Sequence, residues 1–230
     1  VRHIHTMLHG AMKAAVQAHI IPKNPTENAT VPKSNYKPMQ VLSEQELDTF
    51  LQAVQKDDIW RDFFYTELTT GLRRGELLGL KWLDIDLEKG DLRVQRQIGR
   101  IDGKIIEMPL KTKNAYRTLP LSADAISVLK MQKCKVGNSE WVFPSPTGGP
   151  MSPDSVLHML HRVLKRAGLP KVRFHDLRHT YVTRAILAGI NPRVVQYLAG
   201  HSSLELTLQV YSHITVEAAQ AEIRRVALLH

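Results

Sequence analysis

A single cysteine, Cys134, stands in a chain of 230 residues. One thiol closes no intramolecular disulfide and builds no cysteine-rich zinc site, so a disulfide scaffold is excluded and a reducing cytoplasm fits. The chain also lacks any run of about 18 apolar residues, the minimum for a membrane-spanning helix. Its first ten residues, VRHIHTMLHG, have no apolar core and no cleavage site, so they do not read as a secretory signal. They lack an initiating Met and start inside a helical pattern, which reads as a fragment of a longer protein. Acidic residues are the minority: 22 Asp and Glu face 31 Lys and Arg, a formal charge of +9. An excess of this size favours a polyanionic partner, nucleic acid first and an anionic membrane surface second. What is present, 43% hydrophobic and 23% charged residues, suits a globular core. The length suits one large domain, or one domain and a fragment of another.

Apolar periodicity predicts a helix over residues 3–19, carried by Ile4, Leu8, Met12, Ala15 and Val16. Four prolines among Asn, Thr and Ser make 21–38 a linker, with a domain boundary near 38. Then LSEQEL opens a helix: Ser43 can cap it, Glu46 completes a capping box, and Leu47, Phe50, Leu51 and Val54 form its apolar face. The stretch 60–82 reads as helix, glycine break, helix. Residues 91–121 alternate, turn at Asp102–Gly103 and break again near 113–115, which predicts a small three-stranded antiparallel sheet. Further helices are expected over 122–134, from Ser152 and Pro153 to about 167, and from 173 to about 187. Asn191 caps another helix that starts at Pro192 and stops at Gly200, and a last helix is expected over 216–227. The fold class is mostly α with one small three-stranded antiparallel β-sheet (α+β), without internal repeats.

Several residues in this framework carry chemistry. Arg73, in TGLRRGELLGL, follows the glycine break with Glu76 three residues on, which alone would be a surface ion pair. Lys111 and Lys113 flank the tip of a predicted hairpin, where solvated edge lysines are common. In RFHDLRHT, His175 and Arg178 share a helix face. His175 and His179 stand at i,i+4, a metal-ligand spacing for which His201 offers a third donor. Against a metal stand the adjacent Arg178 and the want of clustered carboxylates. Tyr211, ten residues past His201, would alone be assigned to the core or an interface.

In sequence order, Arg73, Lys111 or Lys113, His175, Arg178, His201 and Tyr211 resemble the active-site signature of the tyrosine recombinase (phage integrase) family. The motifs that carry the resemblance are TGLRRGELLGLKWLDID, KTKNAYRTLPL, HDLRHTYVT and LAGHSSLELTLQVYSH, within 41–213. The resemblance implies that 1–37 are the last helix and exit linker of a truncated core-binding domain, and 38–230 the catalytic domain. It implies an integrase of a phage or mobile element that acts on double-stranded DNA attachment sites in a bacterial cytoplasm, without metal, ATP or other cofactor. It implies a homotetramer on DNA with exchange of the carboxy-terminal helix, and accessory DNA-bending proteins as further partners. The residue types suit this chemistry. Two guanidiniums match phosphate oxygens bidentately, a tyrosine hydroxyl needs cationic surroundings and a proton acceptor, and the leaving oxygen needs a proton donor. The implied roles are Arg73 and Arg178 as clamp, Tyr211 as nucleophile, His175 as base, His201 as phosphate donor and Lys111 or Lys113 as acid. Glu76 orients the arginine network. A competing reading takes 176–199 as the helix-turn-helix of a non-catalytic DNA-binding regulator.

Overall fold

The computed structural model describes residues 1–32 and 39–208. The chain divides into two compact units, Val1–Pro38 and Met39–His230. In the first, α1 (Arg2–Gln17) is followed by a turn that Asn24 ties back to it, its amide donating to the His9 carbonyl at 3.3 Å. Tyr211 and the helix expected over 216–227 lie outside the described residues.

The second unit begins as its capping signals dictate. In α2 (Glu44–Val54) the Ser43 hydroxyl accepts from the Glu46 N–H, and the Glu46 carboxylate accepts from the Ser43 N–H at 2.9 Å. Helix α3 (Asp58–Thr70) then ends at Gly71, whose φ of 61° is left-handed. A Cβ there would lie 2.2 Å from the Tyr181 ring, so both conformation and space require glycine. A short α4 (Arg74–Leu78) follows.

The predicted sheet divides in two. Strands β1 (Ile85–Asp86), β2 (Asp91–Val94) and β5 (Arg117–Pro120) form an antiparallel sheet in the order β1-β2-β5. Strands β3 (Gln97–Ile101) and β4 (Lys104–Met108) form a separate hairpin, turning at Asp102 and Gly103, both with positive φ. The cause of the division is Arg96. It leaves the strand to pair with the buried carboxylate of Asp84, and pairing resumes in a new sheet beyond it. Lys111 and Lys113 are likewise not on a strand. Lys111 lies in a bend after β4, and Lys113 opens a single 3-10 turn, Lys113–Ala115.

The remaining helices are α5 (Ala123–Val136), α6 (Pro153–Arg166), α7 (Phe174–Leu187), α8 (Pro192–Ala199) and α9 (Leu204–Leu208). Ser152 and Asn191 stand at the starts of α6 and α8 as the sequence predicts, and Ser122 caps α5 in the same way. The core is aromatic where α3 meets its neighbours: Phe63 packs on Phe143 with centroids 5.0 Å apart, and Phe50 on Phe64 at 5.2 Å. A second cluster, Val182, Ala185 and Ile186 of α7 with Val195 and Ala199 of α8, fixes the end of α8 against α7. Among the described residues no helix is long and apolar enough to cross a membrane.

Candidate active site

The end of α8 gathers several of the described candidates. An α-helix leaves its last carbonyls without helical partners, and cations are favoured at that end. Here three consecutive carbonyls each accept from a different arginine. Leu198 O takes Arg117 Nε at 2.8 Å, Ala199 O takes Arg178 Nη2, and Gly200 O takes Arg73 Nη2 at 2.6 Å. Arg178 also donates from Nη1 to the Gly71 carbonyl at 2.7 Å, so it spans the ends of α3 and α8. Its two partners are therefore backbone groups, at positions where the chain turns in left-handed geometry or is about to.

Arg73 and Arg178 differ in access. The Arg73 side chain is 38% exposed, whereas Arg178 is 1% exposed. Burial, and then the charge of Arg73, lower the pKa of Arg178. Glu76 holds Arg73 through Nη1 at 2.6 Å and its backbone N–H at 3.0 Å. Burial pushes the Glu76 carboxyl up, but Arg117 and Arg73 outweigh that and bring it below the usual carboxylate range.

The first turns of α7 hold two unlike arginines. Arg173 caps the helix and pairs with Asp176 at 2.7 Å, while Arg178 is buried one turn further on. His175 is exposed, and partial desolvation with the charges of Arg178 and Arg73 lowers its pKa, so it is neutral near pH 7. His179 stacks edge to face on His175, centroids 4.5 Å apart, and burial lowers it to about 4. Among the described residues no three His, Cys, Asp or Glu side chains gather as a metal-ligand set. His201 is lowered to about 3, by burial first and then by Arg178 and Arg73. Its Nδ1 contacts the buried Thr207 hydroxyl at 2.9 Å.

The two lysines separate. Lys111 lines a cleft of about 210 Å³ with Arg73, Glu76, Thr112, Gly200 and Ser202. Lys113 lines a neighbouring cleft of about 300 Å³ with Tyr116, Arg193, Tyr197 and His201. A larger concavity of about 720 Å³ along β1 and β2 holds none of the described candidates, and mixed-sign surface residues line it, so size does not mark the site. Three residues beyond the predicted set belong to the arrangement: Arg117, Thr207 and Glu67. Glu67 is 0% exposed and neither of its carboxylate oxygens has a hydrogen-bond partner.

Burial raises the Glu67 carboxyl well above its ordinary value, with Glu76 adding to the effect and Arg178 opposing it. A carboxyl raised in the folded state contributes fully below its unfolded value of about 4.3, and that contribution is lost as pH rises through the folded value. Glu67→Gln carries no such loss. The melting temperature of Glu67→Gln relative to the parent is therefore expected to increase between about pH 5 and about pH 8. Thermal melts of both proteins at the two pH values check this, and an unchanged difference would contradict it.

The family model described as "Phage integrase family" matches residues 40–218, and the chain belongs to that family. A "Tyrosine recombinase XerC-like" protein of Caldanaerobacter subterraneus subsp. tengcongensis is 35% identical over 199 residues, 76% of this chain and 51% of that protein. The transposase from transposon Tn916 of Enterococcus faecalis is 29% identical, over 92% of this chain and 57% of its own length. The chain thus spans a little over half of these relatives. Among solved structures, the Tn1549 transposon integrase in complex with a circular intermediate DNA superimposes with a TM-score of 0.84 at 29% identity, covering 98% of this chain and 78% of that one. A lambda integrase dimer bound to a COC′ core site gives 0.67 at 26%, covering 90% and 71%. Both are mostly helical catalytic folds of the kind described above.

Proposed function

We propose that this chain is the catalytic part of a site-specific DNA recombinase, the integrase of a phage or integrative mobile element. The observation that carries the reading is the pair Arg73 and Arg178, anchored on adjacent carbonyls beside a cleft that Lys111 shares. A fixed guanidinium pair is preorganised for the nonbridging oxygens of a phosphodiester and for the added charge of a pentacoordinate transition state. Arg73 supplies the accessible fork, and Arg178 a fixed, buried charge. The mobile-element assignment is supported by the likeness to the Tn1549 transposon integrase, TM-score 0.84 at 29% identity, and to the Tn916 transposase at 29% identity.

In the proposed reaction the Tyr211 oxygen attacks phosphorus and its proton passes to neutral His175. The bond from phosphorus to the 5′ oxygen breaks, and that oxygen takes a proton from Lys111. The product is a 3′-phosphotyrosyl ester, which the reverse attack of a 5′ hydroxyl rejoins without ATP. His201 acts as a neutral donor: if the Thr207 hydroxyl donates to Nδ1, the ring proton resides on Nε2, free for a phosphate oxygen. Lys113 contacts a neighbouring phosphate. Residues 1–37 serve as the last helix and exit linker of a core-binding domain, and 38–230 as the catalytic domain. The assembly is a tetramer on two duplexes, by likeness to a lambda integrase solved as a tetramer bound to a Holliday junction, and the 216–230 segment is exchanged between its protomers as the family resemblance implies.

A nicked suicide substrate bearing the element's end sequence tests the reading. Covalent protein–DNA adduct on a denaturing gel is expected; its absence would leave a non-catalytic DNA-binding regulator built on α7 and α8. The same assay assigns the lysines. Lys111→Ala should slow cleavage by about 10²-fold, the usual contribution of general acid catalysis. Replacing the bridging 5′ oxygen with sulfur gives a leaving group that needs no proton, and should restore most of that rate. Lys113→Ala should show a smaller defect and little recovery. Recovery confined to Lys113→Ala would exchange the two roles.

A further inference from the structure

Arg117 makes no appearance in the reaction just described, yet its side chain is 0% exposed and all three of its nitrogens are engaged. They go to three different segments. Nε donates to Leu198 O at the end of α8, 2.8 Å away. Nη1 donates at 2.9 Å to Ala115 O, in the 3-10 turn that follows Lys111. Nη2 donates at 2.9 Å to Glu76 Oε2, whose companion oxygen holds Arg73. A planar fork can satisfy three divergent acceptors at once, which the single ammonium of lysine cannot. Gly200 is closed around it: a Cβ there would lie 3.0 Å from Arg117 Nη1.

These contacts join the turn after Lys111 to the same helix end and the same carboxylate that hold Arg73. We propose that Arg117 is a positioning residue for the reaction, fixing the proton-donating bend of Lys111 in register with the arginines that hold the phosphate. The inference rests on the recombinase reading with Lys111 as proton donor. Arg117 itself touches no reacting atom. Without it Glu76 keeps Arg73, but the 113–115 turn loses its tie to α8. The donor and the leaving oxygen are then free to separate, and displacement by about 1 Å can cost about 10²-fold in rate.

The test compares four proteins, the parent chain, Lys111→Ala, Arg117→Lys and Gly200→Ala, on the suicide substrate with oxygen or sulfur at the bridging 5′ position. Arg117→Lys is expected to slow adduct formation on the oxygen substrate by about 10²-fold and to recover at least about a tenth of the parent rate on sulfur. A protein that is merely destabilised slows on both substrates alike, so an equal defect on both would overturn the inference, as would a parent-like rate on oxygen. Where Arg117→Lys does not fold by circular dichroism, Gly200→Ala reads the same coupling, because its methyl group displaces the Arg117 fork without removing it. The same selective recovery is expected, and an equal defect on both substrates counts against the inference. Lys111→Ala separates the two levels. If it recovers on sulfur and the Arg117 and Gly200 variants do not, Arg117 has no part in placing the donor. If Lys111→Ala fails to recover, the donor assignment falls and the role of Arg117 with it.

Discussion

Tyr211→Phe is expected to abolish covalent attachment to DNA, to below detection on a denaturing gel, while DNA binding and thermal stability stay close to the parent. The substitution removes one oxygen and leaves the ring. No other side chain in the proposed reaction can form the 3′ ester: His175 and His201 are neutral imidazoles placed to move or donate protons, and the cysteine, Cys134, is on α5, an element that contributes nothing to the site. A phenol with an ordinary pKa of about 10 attacks near neutral pH only with cations and a base close by. In the proposal Arg73 and Arg178, which donate to the end of α8, are those cations. Adduct of unchanged yield in Tyr211→Phe would remove Tyr211 from the nucleophile role.

Arg178→Ala is expected to reduce the rate of adduct formation by about 10² to 10³-fold, the range found when one preorganised donor to a developing oxyanion is deleted. It should also lower the melting temperature, because it strands the Gly71 and Ala199 carbonyls in the interior, where each unpaired polar group costs about 1–3 kcal/mol. Arg178→Lys separates the two effects in part. It keeps a buried positive charge and an ammonium donor for the stranded carbonyls but loses the planar fork, so stability is expected to recover more than rate. Rates measured with saturating DNA, beside thermal melts of the free proteins, check both. A rate within tenfold of the parent in Arg178→Ala would mean that the buried guanidinium is structural and Arg73 alone holds the phosphate.

The helical frame was legible in the sequence because caps and periodicity are local. Ser43 with Glu46, Ser152 with Pro153 and Asn191 with Pro192 act over a few residues, and each helix begins where they stand. The strands were harder to read. In residues 91–101 the apolar row of Leu92, Val94 and Ile98 is interrupted only by Arg96, and the partner that draws this arginine out of the strand, Asp84, lies twelve residues away. The candidate residues were legible as types in order. Among the described ones, Arg73 and Arg178 donate to the α8 end, Lys111, Lys113 and His201 line the clefts beside it, and His175 stands on α7 within the influence of both arginines. Their supports were not legible. Arg117 sits inside KTKNAYRTLPL, and its contacts to Glu76 and Leu198 span 41 and 81 residues. One signal was available: in β5 the alternation puts 117 on the inward face with Leu119, so a charged residue is set in an apolar row. Glu67 gave no such signal, since a glutamate in a helix is ordinary until its surroundings are known.

Anchoring three arginines on peptide carbonyls has an evolutionary side. A carbonyl is present whatever the side chain, so substitutions at 198 and 199 that keep the packing leave both acceptors in place. An exposed position of α8 such as Val194 can then vary without disturbing those acceptors. Gly200 is the exception, held by its left-handed φ of 63° and by the Arg117 fork against it. The exposed face of α8 and the carbonyls at its end thereby answer to different constraints, and one can diversify while the other is kept.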